Sequence, residues 1–168
     1  MPTPLSHFAV GYAIGAWTQP VPPTTRVCVA AAACAALPDI DILWSQQLPD
    51  SSLFAHRAIT HSVAFAVVAA LLVSATLFRG RQKRGGVTLG LALLSHSCLD
   101  ALSTYSLGIA FLAPFSMQRF RFPWTPLGRP GGTIPGQLIE EALVVFVPAV
   151  LLAWLAFRVR RASVAPPR

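Results

Sequence analysis

Five apolar stretches, each with hardly a lysine or arginine inside it, govern what this chain can fold into: Leu5 to Trp17, Val27 to Trp44, Ala58 to Phe78, Val87 to about Tyr105, and Ala142 to Phe157. About 20 helical residues, rising about 1.5 Å each, cross a hydrocarbon core. The third and fourth stretches fit that length, the second fits with a polar end, and the first and fifth are short. Of the 168 residues, 54% are hydrophobic and only 11% charged, with a mean hydropathy of +0.60. No small soluble core could hide that much apolar surface, so lipid has to be part of the solvent. The expected fold is all-α: an integral membrane bundle of about five short helices with four to five spans. It forms one domain over residues 1–168, with residues 158–168 as a basic tail.

The first stretch has no basic preamble and no small-residue cleavage site, so it reads as a retained helix rather than a signal peptide. Gly11 and Gly15, four apart within it, would let a neighbouring helix approach closely. Cys28, Cys34 and Cys98 show no zinc or disulfide spacing and read as small buried hydrophobes. No internal repeat is evident; the biased stretches are Arg79 to Arg84, the Pro- and Gly-rich loop Pro114 to Gly136, and the tail.

If the helices alternate direction, one side carries Arg26, Arg79, Arg81, Lys83, Arg84, Arg158, Arg160, Arg161 and Arg168, nine of the thirteen basic residues. Arg57, Arg119, Arg121 and Arg129 fall on the other. The positive-inside rule makes the richer side, with its tail, cytoplasmic. A net charge of +7 does not indicate nucleic acid, because the cations sit at helix ends without interleaved aromatics; anionic lipid headgroups suffice as their partner. Trp17, Trp44 and Trp154 read as interfacial anchors.

The same alternation sends the polar groups to the opposite, outer half. His7 opens the first helix there, Asp39 and Asp41 close the second, and His56 and His61 open the third. Glu140 and Glu141 open the fifth, where acids are favoured anyway. His96 and Asp100, four apart, share one face of the fourth. This gathering survives inversion of the whole protein. Ionisable groups at membrane depth cost a few kcal/mol or more each and need partners. A set of histidines and aspartates without thiolates suits zinc, manganese or iron better than calcium, so one or two divalent ions are expected, zinc or manganese above others. Asp39 and Asp41 could both reach a metal, with His56 and His61 approaching from the facing segment. Blander readings exist residue by residue: His56 as a loop residue, Asp39 as an N-cap, His7 as an interfacial histidine, Asp100 as partner of Ser103, Thr104 or Arg57.

The strings Leu37-Pro-Asp-Ile-Asp41, His56-Arg-Ala-Ile-Thr-His-Ser62 and His96-Ser-Cys-Leu-Asp100, with the early His7, resemble the signature blocks of the YdjM-like family of bacterial inner-membrane metal-dependent hydrolases. The similarity runs from about His7 to Arg121, taking in Ser103-Thr-Tyr-Ser-Leu-Gly108 and Pro114-Phe115. It implies a bacterial inner membrane location, hydrolysis as reaction class, and His7, Asp39, Asp41, His56, His61, His96 and Asp100 as metal ligands or catalytic groups. It assigns no role to Glu140, Glu141 or the loop Arg119 to Trp124.

The expected activity is hydrolysis of a phosphoester or related bond in a lipid-like substrate, the metal acidifying water and polarising the electrophile. One of Asp39, Asp41 and Asp100 would be general base or bridge, and Arg57, Arg119 and Arg121 would hold an anionic headgroup or simply anchor to lipid. Two other classes compete. A small transporter or proton or metal-ion relay would use the same His and Asp, alone or as an oligomer, and would show flux without turnover. A metal-stapled scaffold would unfold on metal removal without losing any reaction.

Overall fold

The computed structural model describes residues 2–19, 23–78, 80, 82–104, 107–128 and 132–162. Arg79, Arg81, Tyr105, Ser106, Arg129 and the tail from 163 to Arg168 lie outside them. The described chain is all-helical, with five helices and no strands. Helix α1 is Pro4–Thr18. Helix α2 runs over Thr25–Ser45, its α-helical part Thr25–Ala36 tightening into a 3-10 turn at Leu37–Asp41. Helix α3 is Val63–Leu77 and α4 is Gln82–Ala101. Helix α5 starts at Ile134, passes through a π-type stretch at Ala142–Phe146 and continues as Val147–Ala162.

Three boundaries differ from the hydropathy reading, each for a local reason. Helix α3 starts at Val63 rather than Ala58 because extended Ser62 caps it, its hydroxyl accepting from the Phe65 N–H at 3.1 Å; His56 and His61 therefore belong to the preceding loop. Helix α4 begins five residues before Val87, so hydropathy missed a polar first turn. Helix α5 starts eight residues before Ala142, where Thr133 caps the first turn and Pro135 occupies it, a position proline tolerates. Glu140 and Glu141 are thus inside the helix, not at its start.

Small residues set the packing. A methyl group on Gly11 would lie 2.6 Å from the Ala31 carbonyl oxygen and from Ala35 Cβ, and one on Gly15 2.7 Å from Cys28 Cα. Only glycine lets α1 ride this close to α2. Ala31, Cys34 and Ala35 of α2 meet Ala66, Ala69 and Ala70 of α3 and Leu89, Ala92 and Leu93 of α4 in the main core. Ala16, Cys28 and Ala156 join α1, α2 and α5 in a second. No disulfide links the cysteines; Cys28 and Cys34 are buried and Cys98 half-buried.

The large apolar side chains point outward instead: Val67, Val68, Leu71 and Leu72 on α3, and Leu143, Val150, Leu151 and Leu155 on α5, are all exposed. Thr25–Ser45 and Ile134–Arg160 are long and apolar enough to cross a membrane, and only 17% of the most apolar window of the latter is buried. A helix that apolar and that uncovered needs lipid around it.

Candidate metal centre

The second helix ends on Leu-Pro-Asp-Ile-Asp, and its tightened turn decides where two carboxylates go. At about three residues per turn, positions 39 and 41 point to different sides. Asp39 faces α4, its Oδ1 lying 3.4 Å from His96 Nε2 and 3.6 Å from His61 Nε2. Asp41 faces the loop, its Oδ1 accepting from His56 Nδ1 at 2.7 Å and its Oδ2 from the Thr60 hydroxyl at 2.7 Å and the Arg57 amide at 3.3 Å.

His61 stands between them. Its Nδ1 is 2.9 Å from Thr60 Oγ1. The single Thr60 hydroxyl hydrogen goes to the Asp41 carboxylate, so Thr60 must accept from His61 Nδ1–H. Ser97 holds the backbone of the same residue, donating to the His61 carbonyl at 2.7 Å. On α4, His96 Nδ1 donates to the Ala35 carbonyl at 2.7 Å. Both rings therefore carry their proton on Nδ1 and turn Nε2 inward, and the two Nε2 atoms lie 3.1 Å apart. Two neutral rings so oriented would face lone pair to lone pair. A proton or a metal cation between them resolves the conflict.

Asp100, fully buried one turn beyond His96, is 3.9 Å from His61 Nε2 and accepts from Arg57 Nε at 2.9 Å on the same oxygen, Oδ2. The reading of Asp100 as partner of Arg57 thus holds for one oxygen. Its other oxygen has no hydrogen-bond partner and lies 3.5 Å from His7 Nε2. His7 stacks on His96 with ring centroids 3.8 Å apart and has no hydrogen-bond partner for either nitrogen; neither Asp39 oxygen has one. Burying such groups without partners costs about 1–3 kcal/mol each, more when charged. The orphaned Asp39 Oδ1 thus sits against the His61–His96 pair, and the orphaned Asp100 Oδ1 against His7 Nε2.

The donor set fits a divalent ion. Asp39, His61, His96 and Asp100 each offer one ligand atom, all within 4.8 Å of one another. Around four-coordinate zinc, with bonds of about 2.0–2.1 Å, neighbouring ligand atoms lie roughly 3.3 Å apart; the separations of 3.1, 3.4, 3.6 and 3.9 Å need only small shifts. Asp41, His56 and His61 form a second such group. It is already satisfied internally through His56, Thr60 and the Arg57 amide.

Arg57 is strained to serve this arrangement. Its φ of 65° is unusual for a residue with a side chain, but its amide is held by Asp41, its carbonyl by the Ala110 amide at 3.1 Å and its Nε by Asp100. Its buried Nη2 has no hydrogen-bond partner.

The other candidates are placed elsewhere. Arg119 donates to the carbonyls of His56, Gly108 and Asp50 at 3.0–3.3 Å, buckling the loop that carries His56 onto the loop after α4. Arg121 is exposed. Glu141 accepts from the Thr3 amide and hydroxyl at 2.5 and 2.7 Å, and Glu140 from the Gly128 amide at 3.2 Å; both tether the start of α5. Sequence reasoning gave no role to Thr60, although it sits inside the quoted histidine block, directly before His61. Nothing in the residue pattern could reveal the Ala35 carbonyl that orients His96.

No solved structure matches this chain. It is 34% identical over 175 residues to the inner membrane protein YbcI of Escherichia coli (strain K12), covering 96% of this chain and all of that protein. The profile of the YdjM inner membrane protein family matches residues 1–163, and with two helices fit to span a membrane the chain belongs to that family.

Proposed function

We propose that this protein is a multi-pass, membrane-embedded, metal-dependent hydrolase that cleaves a phosphoester or related bond of a lipid-like substrate. The observation that carries the reading is the facing pair of bare imidazole nitrogens on His61 and His96, flanked by an Asp39 oxygen without a hydrogen-bond partner and by the Arg57-bonded Oδ2 of Asp100. A purely structural polar cluster would be expected to satisfy itself, as Asp41, His56 and Thr60 do.

In this reading Asp39, His61, His96 and Asp100 hold one divalent ion, zinc or manganese, with His7 beside Asp100 as a further donor. What the ion supplies is Lewis acidity, which lowers the pKa of water toward neutrality. Asp39 has a second free oxygen with which to take the proton of an attacking water. Asp41 orients His61 through Thr60, in the manner of the carboxylates that set metal-bound histidines. His56 keeps its Nε2 for a second ion or for the leaving group. Arg57 turns its unpartnered Nη2 to an anionic substrate oxygen, a charge-assisted hydrogen bond. The basic tail lies on the cytoplasmic side and the centre in the outer half of the bilayer.

The test is release of inorganic phosphate or a phosphorylated headgroup from diacylglycerol phosphate mono- and diesters by zinc- or manganese-loaded protein. Turnover that disappears in folded Asp39→Asn supports the reading. A metal-loaded, folded protein inert on every ester of the panel overturns it and returns the centre to the scaffold or relay class.

A further inference from the structure

An open groove of about 770 Å³ lies between α1, α4 and α5 and is lined almost wholly by apolar side chains, among them Ile14, Leu91, Leu99, Leu102, Pro148 and Ala149. We propose that it binds one acyl chain of a membrane phospholipid, with the phosphate at the end nearest the metal centre. This rests on the hydrolase reading for the identity of the lipid as substrate, but not for binding itself.

Length supports this occupant. Along α4 and one residue past its end the lining runs from Leu91 to Leu102, eleven steps or about 16 Å at the helical rise. That is close to half of a hydrocarbon core of about 30 Å, the depth of one leaflet. Its volume lies within the roughly 300–1,000 Å³ usual for ligand pockets. Trp17 marks one end, its indole donating to the Leu152 carbonyl at 2.9 Å, and Trp124 lines the other.

Direction follows from α1. Thr18 meets Thr88 at one level and His7 stacks on His96 at the other, so α1 and α4 run antiparallel. Val10, Ile14 and Trp17 line the groove, and at spacings of three and four residues their stripe continues one turn up to His7. The lining thus climbs from the Trp17 level to the level of Asp100. No charged side chain lines the groove, and the Phe122 amide, bonded to the Ala101 carbonyl at 3.1 Å, pins the loop carrying exposed Arg121 against the end of α4.

The probe is phosphatidylglycerol with dibrominated acyl chains, titrated into detergent-purified, metal-loaded full-length protein in which Trp44 and Trp154 are replaced by Phe, leaving Trp17 and Trp124 as reporters. Saturable quenching at one lipid per chain, with half-saturation raised at least tenfold by Ala149→Leu, is the expected result. Ser95→Leu, on the α4 wall, serves the same purpose if Ala149→Leu does not fold. Quenching that rises without saturation, or that folded filled-groove variants leave unchanged, overturns the proposal. Metal content of the same samples separates the two readings: saturable binding with unchanged metal but no turnover keeps the groove assignment and rejects the hydrolase.

Discussion

His61 and His96 present their Nε2 atoms to each other across 3.1 Å, each ring locked in that orientation by what its Nδ1 donates to. One lock is a threonine hydroxyl and the other a backbone carbonyl, and they behave differently under mutation.

Thr60→Val removes the hydroxyl that fixes the His61 tautomer while keeping the shape. Metal affinity should fall about 10–100-fold, the usual effect of losing an orienting partner. Thr60→Ser should restore it. Zinc titration against a competing chelator reads both; equal affinity in Thr60→Val and wild type would remove Thr60 from the site.

Arg57→Gly relaxes the strained backbone but leaves the Asp100 carboxylate buried without its guanidinium. Breaking a buried pair costs roughly 3–5 kcal/mol. The expected outcome is a protein strongly destabilised in chelator and substantially rescued by zinc, because a cation replaces the lost charge. Thermal unfolding followed with and without metal checks this; a deficit indifferent to metal would mean that Asp100 is no ligand.

Gly11→Ala should destabilise by roughly 1–3 kcal/mol, the cost of overpacking, since its Cβ would meet Ala31 and Ala35 at 2.6 Å. Gly90→Ala, whose Cβ finds only Ala70 Cβ at 3.7 Å, should be neutral or stabilising by up to about 1 kcal/mol. Unfolding midpoints of the pair give the comparison, and a Gly11→Ala as stable as Gly90→Ala would refute the close α1–α2 approach.

His61 lies in the loop ahead of α3, outside the spanning helices. Burial lowers its pKa, but the carboxylates of Asp39, Asp41 and Asp100 outweigh this and the net shift is upward. A raised folded pKa gives the metal-free protein stability that is complete below the unfolded value of about 6.5 and lost as pH rises through the folded value. Metal must displace that proton, so its affinity should decline as pH falls through the same range. Calorimetry in buffers of different ionisation enthalpy should show proton release near neutral pH; zinc uptake with no proton release would contradict the assignment.

Much of this was legible because lipid simplifies the code. Apolar runs marked all five helices, and alternating direction sent His7, Asp39, Asp41, His56, His61, His96 and Asp100 to one end, where the structure brings them together. Gly11 and Gly15 were readable as a close-packing pair because nothing else tolerates such an approach. Helix starts were not, since Ser62 and Thr133 act through local hydrogen bonds that hydropathy does not sense. The division of labour between Asp39 and Asp41 was also hidden: it depends on the pitch of one tightened turn, and two residues apart in sequence does not say which faces the histidines of α4. The carbonyl partners of Arg119 at positions 50, 56 and 108 were hidden as well, since they lie far from it in sequence.

A cation between His61 and His96 would reconcile their two facing nitrogens. Elemental mass spectrometry of detergent-purified protein tests it most directly, comparing wild type with His61→Ala, Asp39→Ala and a combined His96→Ala, Asp100→Ala variant, each checked for folding by size exclusion. About one transition metal per chain is expected in wild type, lost from the folded variants and kept by Glu140→Gln. A folded wild type that stays metal-free after reloading with zinc and with manganese would contradict it.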